Sequence, residues 1–190
     1  VQLPHLHEAL VTAQSRLQPV DVNLFVTRSQ VMNAYTFGLR EPYSVVLTSG
    51  LVERMTASEL EAVIGHELGH VLFNHVLLIN LMSASATGFQ KLIFNLWSRS
   101  CEFTADAVAL QACGGEAKPM ISALLKLASG LKGSEIDLDG FLAQVKRSDA
   151  GAPARVVEWL STHPLISRRI QRLMQISEGS ITPDEVTQER

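Results

Sequence analysis

The sequence predicts an α+β fold, mostly helical, with a small three-stranded antiparallel sheet beside one buried helix. Three short segments rich in β-branched residues follow one another between Val20 and Thr48. The longer segments after Thr56 place their apolar residues at helical spacing instead of alternating them. With 46% hydrophobic residues, a chain of 190 can bury a substantial core in one unit. The formal charge of -3 gives no general attraction to nucleic acid and argues against DNA or RNA as a partner.

Leu3, Leu6, Leu10, Val11 and Leu17, closed by Pro19, predict a first amphipathic helix. His5 and His7 lie two apart within it, diverge on a helix and read as solvated side chains. Strands are expected at Val20–Val26, Val31–Phe37 and Tyr43–Thr48, with Gly38, Glu41 and Pro42 marking the second turn.

Thr56 with Glu59, and Ser58 with Glu61, match a capping box, so the next helix is expected to begin there and run to about Met82. Its apolar residues Leu60, Val63, Ile64, Leu68, Val71, Leu72 and Phe73 cover most of the circumference, as in a helix surrounded by protein. Between Leu68 and Gln90 there is no charged residue, yet Asn80, Ser83, Ser85, Thr87 and Gly88 interrupt the run before the ~20 apolar residues of a membrane span. The stretch reads as a helix end and an apolar connection. Its alternative is a membrane- or partner-facing patch over Val76–Trp97.

Further helices are expected at Ser98–Cys113, stopped by Gly114 and Gly115, and at Pro119–Ala128. After a polar break at Gly130–Asp139 come two short ones, Phe141–Lys146 and Ala154–Leu160, and a last one that Pro164 opens and that runs to about Ile176. Residues 1–177 thus read as one domain, and residues 178–190, with four acidic residues and no aromatic one, as a mobile tail. The opening at Val1, without an initiator Met or leader, reads as an internal fragment. Cys101 and Cys113 stand about 18 Å apart along one helix, cannot pair, and are expected to fill core space.

A buried helix has little use for a charge, so Glu67 in GHELGHVLFNH needs an explanation. At about 100° per residue, His70 stands only about 40° round from His66 and one turn on, so both imidazoles can reach one ion. Glu67 projects beside them, where it can touch a water molecule on that ion. Two histidines one turn apart are also ordinary core or surface residues, and HExxH arises by chance. A third donor is therefore the discriminating feature, because catalytic zinc takes three protein ligands and water.

His75, nine residues after His66, would lie on the opposite side of a continuous helix, and the position of a metzincin histidine is Val76. Cys101 points away from its neighbour Glu102, and Cys113 is too far along. Glu102 is the better donor, and Asp106 lies one turn on along the same face. Such a pair divides the work, Glu102 on the ion and Asp106 accepting a proton from a ligand imidazole. The competing reading of the two is a solvated acidic edge. Ala105, Ala109 and Ala112, facing Gly65 and Gly69, would let the two helices approach closely.

These features resemble those of the HtpX-like and CAAX-prenyl endopeptidase group of gluzincin metalloproteases. The matching residues are Asn33-Ala34, Thr48-Ser49-Gly50-Leu51, His66-Glu67-Leu68-Gly69-His70, Glu102 with Asp106, Thr162-His163-Pro164 and Arg169. The resemblance implies a zincin-like domain with one zinc ion, Glu102 as its third ligand, and a polypeptide substrate added as a strand along Asn33 and Ala34. It also places His163 and Arg169 at the cleft. The segment after His75 departs from the pattern, since integral-membrane relatives carry spanning helices there.

The expected chemistry follows: zinc on His66, His70 and Glu102 with an open position for water, Glu67 as the base, and His163 as a hydrogen-bond donor to the oxyanion. His163 reads alternatively as a cap before Pro164, and Arg169 as a structural ion pair. The expected function is a zinc-dependent endopeptidase acting on unfolded or membrane-associated proteins. It would be cytoplasmic, peripheral to a membrane, or a soluble piece of an anchored protein. The alternative is a zinc-stabilised, chaperone-like client-binding module without catalysis. A third reading is a latent enzyme whose cleft is covered by Gly130–Pro153.

Overall fold

A computed structural model describes residues 3–75, 89–130, 137–138, 140–141 and 164–179. The elements are α1 (Pro4–Ser15), β1 (Val22–Thr27), β2 (Ala34–Phe37), β3 (Tyr43–Thr48), α2 (Ser49–Val52), α3 (Ala57–Leu72), α4 (Phe89–Ala112), α5 (Ala117–Ser129) and α6 (Pro164–Ser177). The mostly helical α+β expectation holds. Most of the expected short helices at Phe141–Lys146 and Ala154–Leu160, most of the expected cleft cover, His163 and the tail beyond Gly179 lie outside the described residues.

The sheet is mixed, which corrects the antiparallel expectation. Its order is β1-β3-β2, with β1 parallel to β3 (Val22 opposite Tyr43) and β2 antiparallel to it (Ala34 opposite Leu47). Val45, Val46 and Leu47 are all buried, so β3 needs cover on both faces and takes the centre. In β2 half-buried and exposed positions alternate, which suits an edge. Alternation tells which face a side chain takes and is silent about which neighbour its strand takes.

Helix α3 starts where the capping box predicts. Thr56 Oγ1 accepts from Glu59 N–H (3.3 Å), and Glu59 Oε2 accepts from Thr56 N–H (2.7 Å). Glu59 also accepts from Ser122 Oγ (2.6 Å) and from Lys126 Nζ (2.5 Å), both on α5, and Lys126 also donates to the Arg54 carbonyl. Burial alone would raise the Glu59 pKa, but these hydrogen bonds and the Lys126 charge bring it below the ordinary carboxylate value. A buried ion pair thus pins the start of α3 to α5.

Helix α3 ends at Leu72, ten residues before the expected Met82. Asn74 adopts a φ of 54°, a left-handed conformation that Asn tolerates better than other side-chain-bearing residues, and this turns the chain out of the helix. Helix α4 begins at Phe89, nine residues before the expected Ser98, and ends at Ala112, just before Gly114 and Gly115, both at positive φ. No helix among the described residues is long and apolar enough to cross a membrane.

Helix α3 lies between two apolar clusters. One joins α1, the sheet and α3 through Leu6, Leu10, Leu47, Ile64 and Leu68, and the other joins α4, α5 and α6 through Leu110, Met120, Ile121, Ile170 and Leu173. The seam between α3 and α4 is as tight as the small residues suggest. A Cβ on Gly65 would stand 2.6 Å from Ala112 Cβ, and one on Gly69 would stand 2.8 Å from Ala105 Cα. Cys101 and Cys113 are free thiols, and burial pushes Cys113 up to about 12.

Candidate metal centre

Because glycine and alanine line the seam, α4 carries Glu102 right up to the two histidines of α3. His66 Nε2 and His70 Nε2 are 3.1 Å apart, and Glu102 places one carboxylate oxygen 3.6 Å from each. Among the described residues these three form the one group whose ligand atoms could hold a metal ion. Donors about 2.0–2.2 Å from a tetrahedral zinc ion stand about 3.3–3.6 Å from one another; Glu102 meets that spacing through Oε2 towards His66 and Oε1 towards His70, and the two nitrogens, at 3.1 Å, stand slightly closer. Two imidazoles and one carboxylate are also the donor set of a catalytic site.

The far nitrogens of the histidines are held as well. Asp106 Oδ1 lies 3.0 Å from His66 Nδ1, but out of line with the ring N–H, so this buried nitrogen forms no well-aligned hydrogen bond. Burial would lower the His66 pKa, but its contact with Asp106 and the Asp106 charge outweigh that and raise it. His70 is pulled down to about 3, by burial first and then by the neighbouring His66 and His75. At neutral pH its ring is therefore uncharged and keeps a lone pair for a metal.

Arg169, on α6, grips the acidic pair of α4. Its Nε donates to Asp106 Oδ2 (2.7 Å), its Nη2 donates to Asp106 Oδ1 (2.6 Å), and its Nη1 lies 2.9 Å from Glu102 Oε2. Burial would raise the Asp106 pKa, but the Arg169 charge and the contact with His66 hold it below the ordinary value. The resemblance implies a place for Arg169 at the cleft, and the structure gives its guanidinium two carboxylate partners, Asp106 and Glu102.

Glu67 is buried beside the ligand face, where Thr36 Oγ1 donates to its Oε2 at 2.7 Å. Burial raises its pKa, and the His66 charge and the Thr36 hydrogen bond only partly oppose this. Thr36 lies on β2, two residues after Ala34 and so on the same, inner face of the strand. The sequence reading singled out Ala34 and overlooked Thr36, although a period of two links them. β2 lies against α3 with β3 on one side of it, and its other edge has no strand partner among the described residues. Asn33 falls just before the strand, and its backbone is taken up by Thr48: its carbonyl accepts from Thr48 N–H and Oγ1, and its N–H donates to Thr48 Oγ1, all at 3.0 Å.

The sequence reading set His75 on the opposite side of the helix from His66. Since α3 stops at Leu72, a helical projection does not apply to it, and the turn at Asn74 brings its Nδ1 to 3.1 Å from His70 Nδ1.

The family model described as "Peptidase family M48" matches residues 4–85 and 77–177. The chain is similar to a plastoglobule-localized metallopeptidase 48 of Arabidopsis thaliana, with 34% identity over 78% of this chain and 47% of that protein. It is 30% identical to a protease HtpX homolog of Helicobacter acinonychis, over 88% of this chain and 64% of that protein. A protease HtpX homolog of Acaryochloris marina is 26% identical over 93% of this chain and 73% of that protein. The chain thus spans about half to two-thirds of the length of the first two relatives. With nearly every described residue inside the match, the chain belongs to peptidase family M48, among its HtpX-like metallopeptidases.

Proposed function

We propose that this chain is the catalytic domain of a zinc-dependent endopeptidase that binds an extended polypeptide along β2 and hydrolyses it with Glu67 as the base. The observation that carries the reading is the convergence of His66, His70 and Glu102, with a further carboxylate, the buried Glu67, kept out of the ligand set. A structural site has no need of that extra acid, whereas a hydrolase does.

His66 and His70 would hold the ion through Nε2 and Glu102 through its carboxylate, with Asp106 and Arg169 fixing the orientation of these ligands. When bound, zinc supplies Lewis acidity that lowers the pKa of water and polarises the scissile carbonyl. Glu67 takes the proton from the attacking water and hands it to the leaving amine. Its raised pKa suits the second step, and the Thr36 hydroxyl keeps its carboxylate oriented for the first. The open edge of β2 offers backbone groups to a substrate strand, which then lies across the helix that bears Glu67. His163 is assigned the oxyanion hydrogen bond from its place in the sequence motif.

The substrate class proposed is unfolded or membrane-associated protein, because a strand-adding cleft reads backbone and requires an extended segment. The test compares wild type with Glu67→Gln for cleavage of an unfolded protein, with zinc content measured in both. Full zinc content with cleavage reduced by at least about a thousandfold is expected. Equal cleavage by the two would remove Glu67 as the base and with it this reading. Preserved client holding by a non-cleaving wild type would favour the binding-module alternative.

A further inference from the structure

The HExxH pattern and its third donor leave one close contact of the centre unexplained. His75 is 1% exposed, lies beyond the end of α3, and presents Nδ1 to the nitrogen of His70 that points away from Glu102. The rings of His70 and His75 meet edge to face, with centroids 5.2 Å apart and planes at 69°, while Phe73 stacks on the His75 ring at 5.9 Å. Nothing in a helical projection places His75 here; the left-handed residue Asn74 does.

We infer that His75 is a positioning residue for the metal site: its unprotonated Nδ1 accepts the Nδ1–H of His70 and so keeps the Nε2 lone pair of His70 aimed at His66 and Glu102. This rests on the zinc reading above. Two nitrogens 3.1 Å apart share one proton, so a donor on one ring requires a lone pair on the other. A metal ligand of the histidine type ordinarily gives its second N–H to a carboxylate or a carbonyl. His66 faces a carboxylate, Asp106, whereas His70 faces a neutral imidazole. Charge is thereby limited. A further carboxylate would add negative charge to a cluster that already holds Glu67, Glu102 and Asp106. Imidazole fixes the ring as a carboxylate would, without that cost.

The experiment measures zinc affinity by competition with a chromophoric chelator in wild type, His75→Leu and His75→Asn, each checked for folding by its thermal transition. Leucine fills the space without an acceptor, and the asparagine carboxamide oxygen sits near the place of Nδ1. The expectation is a loss of about 10–100-fold for His75→Leu and of no more than about threefold for His75→Asn. Equal affinities in wild type and folded His75→Leu, or equal losses in both variants, would overturn the assignment. If the leucine variant fails to fold, nitrogen NMR of zinc-loaded wild type decides: His75 is expected with its proton on Nε2, and a proton on Nδ1 would refute the inference. Absence of zinc binding by the wild type would instead sink the metal reading itself.

Discussion

The seam between α3 and α4 sets the position of Glu102, and two glycine substitutions separate that role from general stability. A methyl group on Gly69 would lie 2.8 Å from Ala105 Cα, whereas ordinary contact begins at 3.4 Å, so the helices must part there by at least about 0.6 Å. Glu102 stands one turn before Ala105, and its oxygens are 3.6 Å from both imidazoles. A functional constellation tolerates about 0.5 Å of displacement, so Gly69→Ala is expected to weaken zinc binding about tenfold or more. Its stability changes less, because overpacking of about 1–3 kcal/mol is offset by about 1 kcal/mol from replacing glycine within a helix. The obstacle at Gly69 is backbone, and removing the Ala105 methyl leaves it in place. At Gly65 the nearest obstacle is the Ala112 methyl at 2.6 Å, and the next is Ala109 Cα at 3.2 Å. Ala112→Gly should therefore restore zinc affinity to Gly65→Ala, and Ala105→Gly should fail to restore it to Gly69→Ala. Chelator competition on the four variants reads this directly. Wild-type affinity in Gly69→Ala, or equal rescue at both positions, would refute the argument that this contact places the ligand.

Lys126→Met leaves Glu59 buried without its cation and should cost about 3–5 kcal/mol at neutral pH, read by chemical denaturation. Because the folded-state pKa of Glu59 is depressed, its contribution in wild type is complete above the unfolded value of 4.5 and lost as pH falls through the lower folded value, so the gap between wild type and variant should narrow below about pH 4; a pH-independent gap would contradict this. Thr36→Val removes a hydrogen bond to a charged group, worth about 1.5–3 kcal/mol, and should lower kcat/KM by roughly tenfold or more with zinc content unchanged; an unaltered kcat/KM would refute a role for Thr36 beside Glu67. Asn74→Gly should keep wild-type zinc affinity while Asn74→Val loses it, since only the glycine holds the left-handed turn without strain; equal affinities in the two would separate that turn from the site.

Geometry that depends on spacing along one helix was legible in the sequence. His66, Glu67 and His70 needed only the helical period, and Thr56 with Glu59 announced where that helix starts. Glu102 was found by searching for a third donor, and the small residues of the seam showed how it could come near. Partners joined by a turn or by strand pairing were hidden. The parallel pairing of β1 with β3 leaves no local signal, and Thr36 meets Glu67 only because β2 lies over α3. His75 was misplaced because the helix was carried past Asn74, the one residue whose tolerance of positive φ could have marked the stop. Glu59 showed only its capping role, since its buried lysine partner lies 67 residues away.

The order β1-β3-β2 also governs how the chain can assemble, because the central strand is the last of the three to be made. As the polypeptide leaves the ribosome, residues 22–37 emerge with no template to join. Neither β1 nor β2 has its native partner until Tyr43–Thr48 has been made, because both pair with that strand and not with each other. The rim that would receive a substrate therefore depends on a strand made after it.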